Sequence, residues 1–296
     1  MKQAALVARL KSDFDSLPAQ LQEAARWVID HPADVALLTT REQARRSGLV
    51  PATMTRLAQR FGLKGYEELR KLHADAMRRR PDNYRGRAQE LVERREAEGD
   101  PALVQDIFSS LSQHMQVLSS PDAVERFGAA AEMIAGAERV YCLGQRSSFP
   151  VAYIFYYVRS LFGSASVLVD GVGATGVDSL RTITKADVLL AITVNPYVRG
   201  TVETARYAKS RGARIVAITD SDLSPLAAFA DQTVLVRTET PSFFHTMAPA
   251  FAAMECLAAL VAARRGDETL AALAESEKQL AALNTYVSPR KRRSKT

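Results

Sequence analysis

Along the first third of the chain, apolar residues return every three or four positions, and further on they gather into short unbroken runs. The first spacing predicts amphipathic helices; the second predicts strands buried on both faces of a sheet. Leu10, Phe14, Leu17, Leu21, Ala25, Val28 and Ile29 keep the helical period with a break near Pro18, and Trp27 is expected as a core aromatic. His31-Pro32 ends that segment, after which Val35, Leu37 and Leu38 lead to Thr40.

The stretch Thr40–Phe61, TREQARRSGLVPATMTRLAQRF, predicts two short helices joined by a tight turn. Thr40 with Gln43 fits a capping box, in which hydroxyl and amide satisfy N–H groups at a helix start. Ala44 is small where two helices must cross, and Gly48 suits the left-handed end of the first helix. Pro51 suits the first position of the second, where its missing N–H costs nothing. Met54, Leu57, Ala58 and Phe61 form a buried face. Ala52, Thr53, Thr55, Arg56, Gln59 and Arg60 are left on or near the outer face, as a helix lying in the major groove of DNA requires. A purely structural helical hairpin would satisfy the same spacing. Gly62 and Gly65 bracket a turn before a further helix, where Lys64, Tyr66 and Arg70 are placed to meet phosphates.

Arg78 to Asp100 is polar and heavily charged and reads as a linker, partly helical. Beyond it, helices at Ala102–Leu118 and Asp122–Ala135 precede alternating elements. Strands are expected at Arg139–Leu143, Ser166–Val169, Asp187–Thr193, Arg214–Thr219 and Thr233–Val236. Helices are expected between them at Ser147–Leu161, Val177–Ile183, Thr201–Ser210 and Leu226–Ala230. This pattern predicts a five-stranded parallel sheet in a three-layer αβα fold, with its ligand at the carboxyl ends of the strands. The closing helices, Phe244–Arg265 and Glu268–Leu283, are Ala- and Leu-rich on several faces, which suits helix packing or a dimer seam.

The loops after the strands therefore carry the candidate ligand chemistry. Gly144-Gln145-Arg146-Ser147-Ser148 runs into a helix, so backbone N–H groups, hydroxyls and a permanent cation can meet an anion. Asp170–Gly176, DGVGATG, has the GxGxxG spacing of a dinucleotide site. The strand that follows ends at Ile192-Thr193-Val194-Asn195 without the acidic residue such a site needs, so the segment reads as a turn and no cofactor is expected. Thr193–Thr201, TVNPYVRGT, offers Thr193, Arg199 and Thr201 to an anion, with Tyr197 placed to close over a small ligand. Thr219–Pro225 can cap the next helix through Ser224 and line the site with Ser221.

Composition narrows the class. With 296 residues, 47% hydrophobic and 24% charged, the chain suits two globular domains. Met247–Ala263 is interrupted by Glu255 and falls short of a bilayer span, and Met1–Leu10 lacks a leader peptide's apolar core, so no membrane partner is expected. Cys142 and Cys256 are far apart without metal-ligand spacing. They suggest a reducing cytoplasm, no disulfide, no metal, and two small core hydrophobes. Net charge is +6, unevenly placed: residues 1–95 hold 19 Lys and Arg against 12 Asp and Glu, residues 290–296 add five basic residues and no acid, and the body between holds 15 against 21. A basic N-terminal module on an acidic body points to a polyanion partner for that module alone.

The paired motifs ARRSGLVPATMTRLAQRFGLKGYEELR, and then GQRSS, TVNPYVRGT and GARIVAITDSDLSPLAAFAD, resemble the RpiR-type bacterial transcription regulators over roughly residues 5–265. The resemblance implies an all-α helix-turn-helix domain at 1–77 and an α/β SIS (sugar-isomerase-like) domain at 101–284; the charged stretch between them reads as a linker at 78–100, and the chain's basic end as a disordered tail at 285–296. It implies a cytoplasmic regulator of a sugar or carbon catabolism operon that binds a palindromic double-stranded operator as a homodimer or homotetramer. Thr53, Thr55, Arg56 and Gln59 would read bases or position the helix, while Arg60, Lys64 and Arg70 would hold phosphates. A phosphorylated sugar-type metabolite would sit against Gly144, Arg146, Ser147, Ser148, Thr193, Tyr197, Arg199, Thr201 and Ser221. The family's Gly-x-Gly-x-Ser loop falls on Gly144, Arg146 and Ser148, with arginine at its second glycine. Its Ser-x-Ser-Gly-x-Thr loop falls on the longer Thr193–Thr201, keeping Thr201 and a hydroxyl at Thr193. The alternative is a phosphosugar isomerase with an accessory N-terminal domain, whose base would come from Glu203, His245 or Glu255. None is marked by a motif, and His31, His73 and His114 lie in helical stretches outside these loops.

Overall fold

The computed structural model describes residues 3–78, 84–163, 165–171 and 175–287, and it divides into two compact units, Met1–Glu90 and Leu91–Thr296. The first is helical: α1 Gln3–Ser12, α2 Ala19–Asp30, α3 Pro32–Leu37, α4 Thr40–Ser47, α5 Pro51–Arg60 and α6 Tyr66–Arg78. Leu6, Leu10, Ala24, Ala25, Val28, Met54, Leu57, Ala58 and Leu69 form its apolar centre, all fully buried. The expected break near Pro18 is a 3₁₀ turn, Phe14–Ser16, and the stretch before Thr40 contains the short α3.

The cap of α4 lies one residue earlier than expected. Thr39, not Thr40, accepts from the backbone N–H of Glu42 at 3.3 Å, so Glu42, not Gln43, stands at the third helical position. Gln43 points inward and is fully buried. Its Oε1 accepts from the Tyr66 hydroxyl at 2.7 Å and from Trp27 Nε1 at 3.3 Å. Its Nε2 donates to the carbonyls of Leu38 at 2.9 Å and Val35 at 3.2 Å. One amide thus satisfies groups from α2, α3 and α6 that would otherwise be buried with poor partners.

Helix α7, Tyr84–Leu118, runs through most of the segment expected as a linker; residues 79–83 lie outside the described residues. Gly99 interrupts it with φ 78° and ψ 170°, just before Pro101. Arg95 meets Asp100 at 2.8 Å across the break, Arg94 meets Glu98 at 3.1 Å, and Arg94 also pairs with Asp106.

The second unit continues with α8 Pro121–Ala135, β1 Val140–Gly144, α9 Phe149–Phe162, β2 Ser166–Val169, β3 Val188–Ile192, α10 Arg199–Ser210, β4 Arg214–Thr219, β5 Gln232–Leu235, α11 Ala248–Arg265 and α12 Asp267–Ala282. All strands are parallel, in the order β2-β1-β3-β4-β5. Side chains alternate between the faces. Cys142, Leu190, Ile192, Val216 and Ile218 pack with α8, α9 and α11. Tyr141, Leu143, Leu189, Ala191, Ile215 and Ala217 pack under Ala205 and Ala208 of α10. This is the three-layer αβα arrangement, with α12 packed on α9.

Several expectations need correction. The 177–183 and 226–230 segments are 3₁₀ turns, Gly176–Thr182 and Ala227–Phe229, and the helix expected from Phe244 begins at Ala248. Cys142 is buried, which pushes its thiol up to about 12, but Cys256 is exposed on α11 and is not a core residue. Residues 172–174 of the DGVGATG segment and 288–296 of the basic tail lie outside the described residues.

Candidate functional site

In the first unit, Gly48 closes α4 in the left-handed region at φ 71°, and Pro51 opens α5. This fixes the tight turn and leaves one side of α5 exposed. Arg56, Gln59 and Arg60 are exposed and Thr55 is half-buried, its hydroxyl donating to the Pro51 carbonyl at 3.2 Å. Arg56 lies back along the helix, with Nε 3.4 Å from the Ala52 carbonyl and Nη2 3.4 Å from Thr53 Oγ1.

Thr53 itself is buried and cannot read bases as expected; it stands four residues before Leu57 and shares its face. Tyr66 is likewise removed from the phosphate-binding set, since it is buried on Gln43 and burial pushes its phenol well above the ordinary range. Arg70 is half-buried and bonds Glu67 at 2.6 Å, whereas Lys64 is exposed beside the start of α6, where its backbone N–H donates to Glu68 at 2.7 Å. Arg45 and Arg46 clasp Glu42 and hold its carboxyl down at about 2.

In the second unit, the loops after β1, β3 and β4 open on one edge of the sheet. The strand order reverses direction between β1 and β3, the switch point at which such folds bind ligands. Gly144 ends β1 where an added Cβ would lie 2.3 Å from the Ser148 carbonyl oxygen and 2.8 Å from its carbon, so no side chain fits without moving backbone. Arg146 adopts φ 55°. Arg146 thus holds a backbone conformation that favours glycine, which costs a side-chain-bearing residue about 1–2 kcal/mol.

The predicted residues fall into small bonded groups. Ser147 Oγ lies 2.8 Å from His245 Nε2, a pairing that brings in the 236–247 loop after β5, and the His245 ring stacks on Phe244 with centroids 4.2 Å apart. Thr201 is fully buried and donates to Gln145 Oε1 at 3.3 Å, and that oxygen lies 2.5 Å from where a Cβ on Gly200 would fall. Gln145 therefore rests on the start of α10. Thr193, also fully buried, accepts from the backbone N–H of Val198 at 3.0 Å and holds the loop in shape, within which the Asn195–Pro196 peptide is cis.

Tyr197 bonds Asp220; burial and that carboxylate push its phenol up to about 12, so it is held by the β4 loop. Asp220 also accepts from the Asn195 N–H at 3.4 Å. Ser148 is buried, while Arg146 and Arg199 are exposed. Ser221 Oγ accepts from the Leu223 N–H at 3.1 Å, and Ser224 caps the next turn as expected. Gln145 and Asp220 are the contributors that sequence reasoning missed. Of the proposed bases, Glu203 is exposed and paired with Arg206 at 2.9 Å, and Glu255 is exposed on α11.

Residues 133–263 match the SIS domain family. The chain is 24% identical over 248 residues to an uncharacterized HTH-type transcriptional regulator of Caldanaerobacter subterraneus, covering 81% of each protein. It is similar to the sugar isomerase domain of an RpiR transcription factor from Sphaerobacter thermophilus, with 27% identity and a TM-score of 0.54 over 59% of this chain and 97% of that one. The NanR protein of Vibrio vulnificus, solved with ManNAc-6P, shares the fold at 20% identity and a TM-score of 0.50 over 94% of this chain and 98% of that one. No described helix is long and apolar enough to cross a membrane.

Proposed function

We propose, from the premise that this chain is built as the RpiR-type transcriptional regulators are, with a SIS domain at residues 133–263 behind a helix-turn-helix unit, that it binds an operator through α5 and is controlled by a phosphorylated sugar-type metabolite. The observation that carries this is the coincidence in one chain of the two parts: a left-handed Gly48 and Pro51 presenting an exposed, cationic α5, and a SIS sheet whose carboxyl edge gathers Ser147, Ser148, Thr193 and Thr201. The 81% coverage of a relative named as a regulator spans both parts and supports this reading over an isomerase with an accessory domain.

Arg56 and Gln59 meet base edges or position the helix, and Arg60, Lys64 and Arg70 meet phosphates. Arg70 must turn from Glu67 to do so. The ligand sits at the β1/β3 switch point against Gly144–Ser148, Arg199 and Ser221, and Tyr197 closes that side through Asp220. Because a pseudo-palindromic operator mirrors a two-fold protein, the chain acts as a homodimer, formed mainly through the second unit. The ligand exerts control only by binding one disposition of the reading heads more tightly than another.

The experiment is a fluorescence-anisotropy titration of the full chain against its own upstream DNA, with and without hexose 6-phosphates. Affinity should fall steeply with salt and change on adding the sugar phosphate; salt-independent binding, or none, would refute the reading. Arg56→Ala should weaken operator binding by about 1–3 kcal/mol with an unchanged melting curve, while Arg60→Ala should lower the salt slope by about one. Ser147→Ala should weaken calorimetrically measured sugar-phosphate binding about tenfold, the loss of roughly one hydrogen bond to a charged group. Full retention would remove the Ser147–His245 pair from the pocket.

A further inference from the structure

Helix α7 buries none of its residues, yet its second half, Pro101–Leu118, carries several large apolar side chains that are exposed. It reads PALVQDIFSSLSQHMQVL, in which Asp106 is the sole acidic or basic residue apart from His114, and Asp106 is taken up by Arg94. Ser110 and His114 hold one side of the helix to the body through the Glu239 carbonyl, His114 Nε2 at 2.6 Å, and Leu103 and Ile107 on that side are half-buried. The apolar surface does not stop where the body does. Val104 is 52% exposed, Phe108 66% and Met115 36%.

With the half-buried Leu111, these residues step along the helix by four, three and four. At about 100° per residue they fall within a stripe about 60° wide, the seam by which one helix packs along another. We propose that this stripe is an interface, and that what covers it is the same stripe of a second copy.

Charge argues for that occupant. The stripe and its flanks, Gln105, Ser109, Ser112 and Gln116, carry no cation for a nucleic acid or an anionic lipid surface and no carboxylate for a basic partner. Two such surfaces can meet about a two-fold axis without juxtaposing like charges, and their uncharged polar flanks supply a rim. The segment is about 27 Å long. Two copies contribute eight apolar side chains, two of them phenylalanines, as the apolar centre of a contact that specific dimers build to about 600 Å² or more per partner. The tyrosines exposed on α9 are a poorer candidate, because Tyr157 already bonds Tyr286. This proposal rests on the homodimer in the functional reading above and adds the surface that forms it.

The test is light scattering after size exclusion on the full chain at about 10 µM, together with the melting temperature. Wild type should be dimeric. Phe108→Glu combined with Met115→Glu places like charges across the axis and should weaken self-association by about a hundredfold or more, giving monomer with a retained second-unit transition. Leu111 lies near the middle of the stripe, so two stripes that overlap along their full length, parallel or antiparallel, bring it close to its own copy. Leu111→Cys in a Cys256→Ser background should therefore form a disulfide-linked dimer under mild oxidation, and this decides the matter should the double variant fail to fold. A dimeric wild type whose double glutamate variant remains dimeric, or whose Leu111→Cys variant fails to cross-link, overturns this surface and leaves the dimer reading intact. A monomeric wild type overturns both, while operator binding, measured separately, stands apart.

Discussion

Gln43→Ala should lower the stability of the N-terminal unit by about 3–5 kcal/mol and abolish operator binding without touching any exposed residue of α5. The side chain is fully buried and answers four polar groups: the Tyr66 hydroxyl, the Trp27 indole N–H, and the carbonyls of Val35 and Leu38. Removing it leaves each with a poorer partner, at about 1–3 kcal/mol per buried group, less whatever water recovers. A domain of this size has about 5–15 kcal/mol in total. Circular dichroism melting should show the helical transition falling by about 15 °C or more. Gln43→Glu should fall almost as far, because a carboxylate cannot donate to the two carbonyls. A shift under about 5 °C for the alanine variant would show that the amide does not organise α2, α3, α4 and α6 about itself.

Gly144→Ala should do the complementary damage. Its new methyl would fall 2.3 Å from the Ser148 carbonyl oxygen and 3.0 Å from the Ala152 Cβ, and the first of these is backbone, which cannot rotate away. Relief requires β1 or the start of α9 to shift, at a cost of about 3 kcal/mol, typical of overpacking at a close-packed site. That shift displaces Ser147 from His245, so sugar-phosphate binding should be lost while the first unit still binds DNA without control. The two substitutions lie in separate compact units and share no partner, so their effects on melting should add. Retained ligand stabilisation in the Gly144→Ala variant would show that the loop tolerates a side chain there.

These two residues also show what the linear pattern carries and where it stops. Periodicity places β2 and β4 to the residue, because Ser166–Val169 and Arg214–Thr219 are short apolar runs with clear turn signals around them. Gly48 and Pro51 are legible for the same reason: their backbone demands are local. The cap of α4 is ambiguous by one position because residues 39 and 40 are both threonine, and only the fold shows that the Thr39 hydroxyl meets the N–H. Thr53 is not an outward residue, and its spacing to Leu57 already argues for the buried face. The Ser147–His245 pair, 98 residues apart, and the Tyr197–Asp220 pair form only when parallel strands bring loops to a common edge, so no local signal announces them. The same holds for Gln145 against Gly200.

The break at Gly99 changes what α7 is mechanically. An uninterrupted helix of 35 residues would be a rod of about 52 Å that bends little. With one residue out of helical geometry it becomes two stiff segments meeting at a joint, and the joint is clasped by Arg95–Asp100 on one side and by Arg94, through Asp106, on the other. These ion pairs are partly exposed, so dissolved salt weakens them within a Debye length of about 8–10 Å. The bending stiffness of this helix is therefore set in part by ionic strength, independently of any phosphate the protein meets.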